Sequence, residues 1–353
     1  MSNNVSVIGG EPLGQQSKSA TDLRPRIAVL GCGYWGRNLV RNLQAIGNLA
    51  MVCEPNDKAR EEAKRIAPDT RLESDFQAAL SDQSIEGIML ATPAETHFPL
   101  GTKCLEAGKH LFVEKPLTLG VDDGRSLTRM AAERGLVLMV GHLLEYHPAV
   151  IKLRELLRNN YFGKVCYLYS SRLNFGKIRT EENALWSFAP HDIAVILRLV
   201  GQLPLEVTCV GGNYITSHLA DVTVSTLHFA NGVRGHIHVS WLHPFKEQKL
   251  VLVGTDRMAV FDDTKTENKL TVFDQSVEWQ DRTPIPKKGA IHAQSLDPAE
   301  PLRVECEHFI ECIRTGAQPL TDGQSGVDVL RILTALQQSL KQNGAPVSLS
   351  DVL

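Results

Sequence analysis

The sequence lacks three features that would point to particular classes of protein. No apolar run approaches the ~20 residues that a membrane-spanning helix needs, so a membrane protein is not indicated. The seven cysteines include no Cys-x-x-Cys pair, so we expect neither a metal site nor a disulfide framework, and a reducing cytoplasm fits best. The net charge of −3 shows no basic excess, which argues against nucleic acid as a partner.

The chain is long enough for more than one folding unit. Its 353 residues can form two domains, each with its own core. Residues 1–24 are rich in Ser, Gly, Asn and Gln, and they lack the basic start and apolar stretch of a secretory signal. We therefore expect a flexible N-terminal tail in front of two domains.

An alternation of strand-like and helix-like segments predicts the first domain at about residues 25–145. Residues 27–30 form a short apolar run, and the apolar side chains of residues 36–46 recur at helical spacing. The same alternation continues with strands predicted at 49–53, 85–91, 110–113 and 136–140 and helices at 57–66, 97–107 and 121–134. Strands joined by helices are parallel, so the pattern predicts a doubly wound α/β domain.

The pattern changes in residues 146–353, which we predict to be an α+β domain with a large, mostly antiparallel open sheet. Several β-rich runs follow a helix at 184–200, and Asn231-Gly232 is a strong hairpin turn between two of them. Residues 281–301 contain several prolines and are predicted to be a loop. Helices at 302–314 and 326–342 close the chain, and we expect them to pack back on the first domain.

A glycine-rich turn lies between the first strand and the first helix, which is the context of a dinucleotide-binding fingerprint. Gly31-x-Gly33-x-x-Gly36 would permit the tight turn, the approach of a pyrophosphate and the packing of helix on strand. The phosphates would lie at the N-terminus of the helix, with Tyr34 and Trp35 beside them. A glycine-rich turn without a ligand is the alternative, but the strand–turn–helix context favours a cofactor site.

Glu54 ends the second strand, near the ~20-residue offset at which an acid binds the adenosine ribose. A carboxylate there accepts hydrogen bonds from ribose hydroxyls and repels a 2′-phosphate, so we predict NAD, with NADP less favoured. Asp57 is a weaker candidate for the same role, and Glu54 would otherwise be a solvated loop acid. Arg60 is the nearby residue that would suit a phosphate.

Two further loops would reach the nicotinamide end of such a cofactor. Thr92 and Pro93 follow the third apolar run, with His97 at the start of the next helix, where it would line the site or merely begin the helix. Glu114 and Lys115 precede a proline, which disfavours helical geometry and places them at the end of a strand. The carboxyl ends of parallel strands are where ligands bind in such sheets.

Lys115 and His191 are the two candidates for moving the hydroxyl proton if the protein transfers hydride from an alcohol. A buried lysine can have a lowered pKa, and histidine titrates near neutrality. A cationic Lys115 could stabilise an alkoxide while His191 moves the proton, and the opposite assignment is equally sensible. His191 would otherwise be a histidine that caps a helix.

Five segments together resemble the glucose–fructose oxidoreductase/inositol dehydrogenase/MocA (Gfo/Idh/MocA) family. The resemblance implies a Rossmann domain, a second domain with a large open sheet, a bound nicotinamide cofactor and chemistry on a sugar or cyclitol hydroxyl. It also implies that Lys115 is the catalytic lysine and His191 the active-site histidine. The segments are Thr92-Pro93 with His97, Ala107-Gly108-Lys109-His110, Val113-Glu114-Lys115-Pro116, Ala189-Pro190-His191-Asp192, and His308-Phe309-Ile310-Glu311-Cys312-Ile313 followed by Pro319-Leu320-Thr321-Asp322-Gly323.

One position departs from the family pattern. Many members have an aspartate four residues before the histidine, and this chain has Ser187 there. A serine is no comparable proton acceptor, so Lys115 and His191 must carry the chemistry without it.

Two segments are predicted to bind the substrate. The first, between a strand and the His191 helix, would offer positive charge and an amide to an anion, unless Glu181 and Glu182 neutralise it; its candidates are Arg172, Asn174, Lys177 and Arg179. The second follows the last strand of the first domain, and its candidates for binding hydroxyls are His142, Glu145 and Tyr146. Tyr146 would otherwise pack between the domains.

These segments are similar to the family branch that oxidises the 3-hydroxyl of UDP-N-acetylated amino sugars. That branch implies a nucleotide-sugar substrate and a 3-keto product that an aminotransferase converts for lipopolysaccharide synthesis. The alternatives are a dehydrogenase of a free cyclitol such as inositol, and a regulatory protein that senses dinucleotides without turnover. A broad sheet with an exposed apolar face favours a homo-oligomer, and the family resemblance implies a dimer or tetramer.

Overall fold

The structure, a computed structural model, describes residues 24–352, so nearly all of the predicted N-terminal tail lies outside the described residues. Its first sheet is wholly parallel and has the spatial order β3-β2-β1-β4-β5-β6. The strands are β1 (Ile27–Leu30), β2 (Leu49–Cys53), β3 (Arg71–Glu73), β4 (Gly87–Leu90), β5 (His110–Glu114) and β6 (Leu138–Gly141). The intervening helices are α1 (Gly36–Ile46), α2 (Asp57–Ile66), α3 (Gln77–Ser81), α4 (His97–Glu106) and α5 (Val121–Glu133).

The strand order places the predicted functional loops together. β1 and β4 are neighbours, but the chain leaves them toward opposite sides of the sheet. The glycine-rich turn after β1 and the loop after β4 therefore flank the topological switch point, where a doubly wound sheet leaves a crevice for a ligand. The predicted doubly wound architecture is confirmed.

The second sheet has the order β14-β13-β12-β11-β7-β10-β9-β8-β15. All of its neighbouring strands are antiparallel except β7 and β10, so the predicted mostly antiparallel sheet is confirmed. The strands are β7 (Val165–Phe175), β8 (Glu206–Gly212), β9 (Val222–His228), β10 (Arg234–Ser240), β11 (Leu242–Gly254), β12 (Met258–Asp262), β13 (Leu270–Gln280), β14 (Thr283–Ala293) and β15 (Val347–Ser348). The helices are α6 (Pro148–Arg158), α7 (Ala184–Val200), α8 (Pro301–Thr315) and α9 (Gly323–Lys341).

The prediction of a loop at residues 281–301 was wrong for most of that segment. Residues 283–293 form β14, which pairs with β13 as a hairpin. Pro284 and Pro286 are tolerated because β14 is the edge strand, where a residue without an N–H breaks no interior ladder.

The last two helices return to the first domain. α8 packs against α1, and the ring of its Phe309 meets Phe112 of β5 edge-on at 5.9 Å between centroids. α9 packs against α5 and also against α7, so it contacts both domains. These contacts hold α7, which carries His191, close to the carboxyl edge of the first sheet.

Candidate active site

The glycine-rich turn has the shape that a pyrophosphate needs. Gly31 has a φ of +91°, and a Cβ there would lie 2.7 Å from the carbonyl oxygen of Ala91. A Cβ at Gly36 would lie 2.1 Å from the carbonyl oxygen of Gly31, so both positions exclude a side chain. A Cβ at Gly33 would meet nothing within 4 Å, so this residue faces open space in front of α1. The turn therefore fits a dinucleotide.

Glu54 joins the end of β2 to this turn. One carboxylate oxygen accepts a hydrogen bond from the backbone N–H of Cys32 at 2.7 Å, and the other accepts from Asn56 N–H at 2.9 Å. Arg60 donates to the backbone carbonyls of Glu54 and Pro55, at 2.7 and 2.9 Å, and its guanidinium also contacts Asp57. The arginine that would suit a 2′-phosphate is therefore already engaged, which agrees with NAD as the cofactor.

Trp35 connects the glycine-rich turn to the end of β5. Its indole N–H donates to the carboxylate of Glu114, which also accepts from the backbone N–H of Lys115 at 3.3 Å. Glu114 is buried, and burial raises its pKa above the ordinary carboxyl range. Tyr34, by contrast, is exposed and lies under the guanidinium of Arg37.

His97 links the other two loops of the site. It is buried, and its two ring nitrogens lie 2.8 Å from the carbonyl oxygen of Pro116 and 2.9 Å from that of Thr92. His97 therefore does more than begin α4, because it holds the loop of Thr92 and Pro93 against the turn that follows Lys115. The Lys115–Pro116 peptide bond is cis.

Lys115 reaches across the two domains. Its Nζ donates a hydrogen bond to the backbone carbonyl of Ser187 in α7 at 3.1 Å. Pro190 lies inside this helix and has no N–H to offer the carbonyl of Trp186, so the continuous helix lacks one backbone hydrogen bond at the residue before Ser187. His191 is the next residue, and the charge of Lys115 acts on its imidazole.

The electrostatics separate the roles of these groups. Burial, then the charges of Lys115 and Arg172, lower the pKa of His191 well below its usual value. Burial lowers the pKa of Lys115, while Glu182 and Glu114 oppose that change. At neutral pH His191 is therefore a neutral imidazole that can accept a proton.

Five buried polar atoms of the predicted substrate-binding residues have no hydrogen-bond partner within residues 24–352. Buried polar groups are normally paired, so a group of unpaired ones marks a place prepared for a polar ligand. Burial also lowers the pKa of the His142 imidazole to about 3, so this ring is neutral. The atoms are both ring nitrogens of His142, Nδ1 of His191, Oγ of Ser187 and Oδ1 of Asn174.

The predicted cationic segment is less free than the sequence suggested. The guanidinium of Arg172 lies on the carboxylate of Asp192, at 2.9 and 3.2 Å. Arg179 lies 3.1 Å from Glu182 and 3.8 Å from Glu181. These two acids therefore neutralise its charge, which is the alternative considered from the sequence. Lys177 is exposed.

Glu145 and Tyr146 lie in the interior and not in the cleft, which corrects the expectation that they face a substrate. The carboxylate of Glu145 pairs with Arg198. The hydroxyl of Tyr146 lies 3.0 Å from Oγ1 of Thr321. Tyr146 therefore packs in the interior, which is the alternative to binding substrate. Both side chains follow β6, and the short 3₁₀ helix Leu143–Tyr146 turns them away from the sheet edge.

Sequence reasoning missed two residues near the site. Gln337 of α9 accepts hydrogen bonds from the Asn183 side chain at 2.8 Å and the Trp186 indole at 3.1 Å, which anchors the start of α7. Glu305 is buried in α8 with both carboxylate oxygens unpaired among the described residues. The spacing of Leu302, Glu305 and Phe309 on one helical face was the signal that could have revealed the buried acid.

Comparisons with known proteins agree with this geometry. Residues 25–142 match the model of an oxidoreductase family with an NAD-binding Rossmann fold, and residues 150–260 match the C-terminal domain of the same Gfo/Idh/MocA family. In the described part of the chain, none of the helices combines the length and apolar character needed to cross a membrane.

Two relatives illustrate the range of substrates. UDP-N-acetylglucosamine 3-dehydrogenase of Acidithiobacillus ferrooxidans is 28% identical over 310 residues, which cover 86% of this chain and 94% of the relative. Its solved structure has a TM-score of 0.79 at 27% identity and covers 90% of this chain and 98% of that one. The NAD⁺-dependent scyllo-inositol 2-dehydrogenase of Bacillus subtilis is 25% identical over 342 residues, covering 92% and 96%.

Both domains match, in order, and the glycine-rich turn fits the cofactor that the family binds. The chain therefore belongs to the Gfo/Idh/MocA family, as an NAD-dependent oxidoreductase that acts on a CH–OH group.

Proposed function

We propose that the protein oxidises the 3-hydroxyl of a UDP-N-acetylated amino sugar, UDP-N-acetylglucosamine or its uronate, to the 3-keto sugar. The observation that carries the chemistry is the contact of Lys115 with Ser187 beside a neutral His191, at the edge of the cofactor crevice. The observation that favours this substrate is the similarity to the Acidithiobacillus enzyme, which extends over both domains.

We assign different roles to the two catalytic residues. His191 accepts the hydroxyl proton, because its imidazole is neutral and its buried Nδ1 is unpaired among the described residues. Lys115 stays protonated, donates to the Ser187 carbonyl, and stabilises the negative charge that develops on the substrate oxygen. Bound NAD supplies the acceptor for the hydride of the carbinol.

The residues for the cofactor follow from their positions. The turn of Gly31, Gly33 and Gly36 would cradle the pyrophosphate at the start of α1, and Glu54 would meet the adenosine ribose. Trp35, Thr92, Pro93 and Glu114, with Lys115, would surround the nicotinamide end.

The substrate would use the unpaired polar atoms of the predicted substrate-binding residues. His142, Ser187 and Asn174 offer hydrogen bonds to the hydroxyl and N-acetyl groups of a hexose. Lys177 is exposed and would bind the diphosphate of the substrate. Arg179 would bind the diphosphate only after leaving its ion pair with Glu182. Arg172 keeps its place on Asp192 and acts on the site through its charge.

A substrate comparison tests the proposal. Purified protein and NAD⁺ are mixed with UDP-N-acetylglucosamine, with its uronate, or with myo- or scyllo-inositol, and NADH formation is followed by absorbance. We expect turnover of a UDP sugar, and NMR of the product should show a ketone at C3. Turnover of an inositol alone would identify a cyclitol dehydrogenase, which the Bacillus relative makes the second candidate.

We also propose the setting of the reaction. A 3-keto amino sugar is a substrate for an aminotransferase, so the product would pass to such an enzyme in diamino-sugar and lipopolysaccharide synthesis. The enzyme would act in the cytoplasm as a homo-oligomer, a dimer or tetramer, with nucleic acid and membranes playing no part.

A further inference from the structure

Helix α8 runs antiparallel to the strands of the first sheet. A Cβ at Gly87, which begins β4, would meet the side chains of Ile313 at 2.8 Å and Phe309 at 3.3 Å. The same Phe309 ring packs on Phe112 in the middle of β5. Moving back one further turn along α8 therefore leads toward the carboxyl edge of the sheet, and the residue reached there is Glu305.

Glu305 consequently lies over Glu114. Phe112 and Glu114 are two residues apart on β5, so their side chains share a face. A Cβ at Gly141 would contact both of them, at 3.1 Å from the Phe112 ring and 2.9 Å from a Glu114 carboxylate oxygen. Four helical residues advance ~6 Å and two strand residues ~6.6 Å, so the Phe309–Phe112 contact puts Glu305 next to Glu114.

The two acids differ in what surrounds their oxygens. Glu305 has 0% exposure, and both of its oxygens are unpaired within the described chain. Glu114 accepts hydrogen bonds from the Trp35 indole and the Lys115 amide. Ionising a buried carboxyl group that has no hydrogen-bond donors costs far more free energy than ionising one that has two. If the pair carries a single negative charge, that charge therefore lies on Glu114.

Within residues 24–352, the charged groups that act on Glu305 are acids and include no cation. The titratable groups acting on or near it are Glu114 on β5, Glu145 and Tyr146 after β6, and Cys306 on its own helix. Burial first, and then the charges of Glu114 and Glu145, raise the pKa of Glu305 well above its ordinary value.

We propose that Glu305 is a positioning residue of the cofactor site, which keeps one proton so that Glu114 holds the charge that binds the Trp35 indole and the Lys115 amide. Trp35 precedes α1 at the end of the glycine-rich turn, and Lys115 begins the turn after β5. Glu305 therefore connects the two cofactor loops through Glu114 without touching either. The proposal concerns NAD binding and is independent of the sugar that is oxidised.

Infrared spectroscopy tests where the proton lies. The wild-type protein should show the C=O band of a protonated carboxyl group at neutral pH, and Glu305→Gln should lose that band. In Glu114→Gln the Glu305 band should remain but disappear at a lower pH than in the wild type, because a neighbouring charge has been removed. A wild-type protein without such a band, or a Glu305→Gln protein that keeps all of it, would overturn the proposal.

Binding of NAD⁺ tests the consequence. Glutamine is neutral like a protonated Glu305, so NAD⁺ affinity at neutral pH should fall much less in Glu305→Gln than in Glu114→Gln. Glu114→Gln should bind about tenfold more weakly, since it loses a charged hydrogen-bond acceptor. Glu307→Gln, an exposed acid on the same helix, is the matched control. If Glu305→Gln bound NAD⁺ as poorly as Glu114→Gln, an ionised Glu305 would be required and the assignment would be wrong.

Discussion

A single backbone carbonyl joins the two halves of the reacting centre. Ser187 presents its carbonyl oxygen to Lys115 at 3.1 Å, in the turn of α7 that precedes Pro190. The Ser187 hydroxyl makes no hydrogen bond with the described residues. The residue that departs from the family pattern thus contributes its backbone to Lys115, and its side chain is left to the substrate.

Replacing either of the two proposed catalytic residues should remove catalysis while sparing the fold. Lys115→Met loses the cation that stabilises the substrate oxygen, and His191→Asn loses the base, so kcat/KM should fall by about 10²–10⁴-fold in each. Steady-state kinetics measure the loss, and NAD⁺ titration should show affinity within a few-fold of wild type. Lys152→Met, which changes a partly exposed lysine of α6, is the control. Unchanged biological activity in Lys115→Met would favour a dinucleotide-sensing protein over an enzyme.

The pH dependence follows from the two shifted pKa values. His191 must be neutral to accept a proton, and its pKa is lowered well below 6.5, so kcat/KM should fall only on the acid side of the ordinary histidine range. Lys115 must be charged, and its pKa is lowered from 10.5, so activity should also fall in alkali before an ordinary lysine would titrate. A pH profile of kcat/KM checks both limbs. An acid limb centred near 6.5 would show that the imidazole is exposed to water.

The site residues that the sequence predicts are carried by local motifs. Gly31, Glu54 and Lys115 lie at the ends of strands, and the apolar runs that precede them in the sequence predict those strands. Residues whose roles depend on distant partners were not predictable, because Arg198 lies 53 positions from the Glu145 that it neutralises. We expected Glu145 to face the cleft, but in the folded protein it pairs with Arg198, and the sequence does not show that these two residues meet.

At the scale of elements, helices with complete local signals matched their predicted bounds. Gly36–Ile46, Asp57–Ile66 and Ala184–Val200 all begin and end where the sequence indicates. Asn56 and Asn183 accept hydrogen bonds from the first turns of α2 and α7, which are strong start signals. The hairpin of β13 and β14 was missed because the sequence cannot show that a proline-containing segment will become the edge of a sheet.

The start of α7 depends on one side chain of another helix. The Gln337 amide oxygen accepts from both Asn183 and Trp186, so Gln337→Leu should leave two donors unpaired and cost about 1–3 kcal/mol. Because Ser187 and His191 are carried by this helix, kcat should fall more than NAD⁺ affinity. Kinetics and thermal unfolding measure the two effects. Gln338→Leu, an exposed neighbour, is the control, and an equal loss in both variants would contradict the anchoring role.

At the scale of the molecule, the nine-stranded sheet has one covered face and one open face. α7 covers the first, since a Cβ at Gly235 would meet Ile196 at 3.2 Å. The neighbouring residue His236 points the other way, and its ring lies 6.2 Å from that of Tyr167. Register places Val224 and Val210 on this open face as well.

The open face is apolar enough to expect a second copy of the chain on it. Tyr167, Val224 and Val210 are 41%, 45% and 51% exposed, and they lie within the four consecutive strands β7-β10-β9-β8 of one sheet. We expect the wild type to be a dimer or tetramer in solution, and Tyr167→Lys combined with Val224→Lys to lower its mass by at least half. A buried, unpaired ammonium is costly, so the lysines should separate the sheets without unfolding either one.

Light scattering after size-exclusion chromatography measures the mass, and circular dichroism reports whether the variant is folded. Leu119→Lys changes an apolar residue of the first domain that is 54% exposed, and it should leave the assembly intact. Lys115 and His191 belong to the same chain, and α7, which carries His191 and contacts Lys115, packs on the covered face of the sheet. The separated variant should therefore keep NAD⁺ binding, and a folded double-lysine variant with wild-type mass would show that assembly uses another surface.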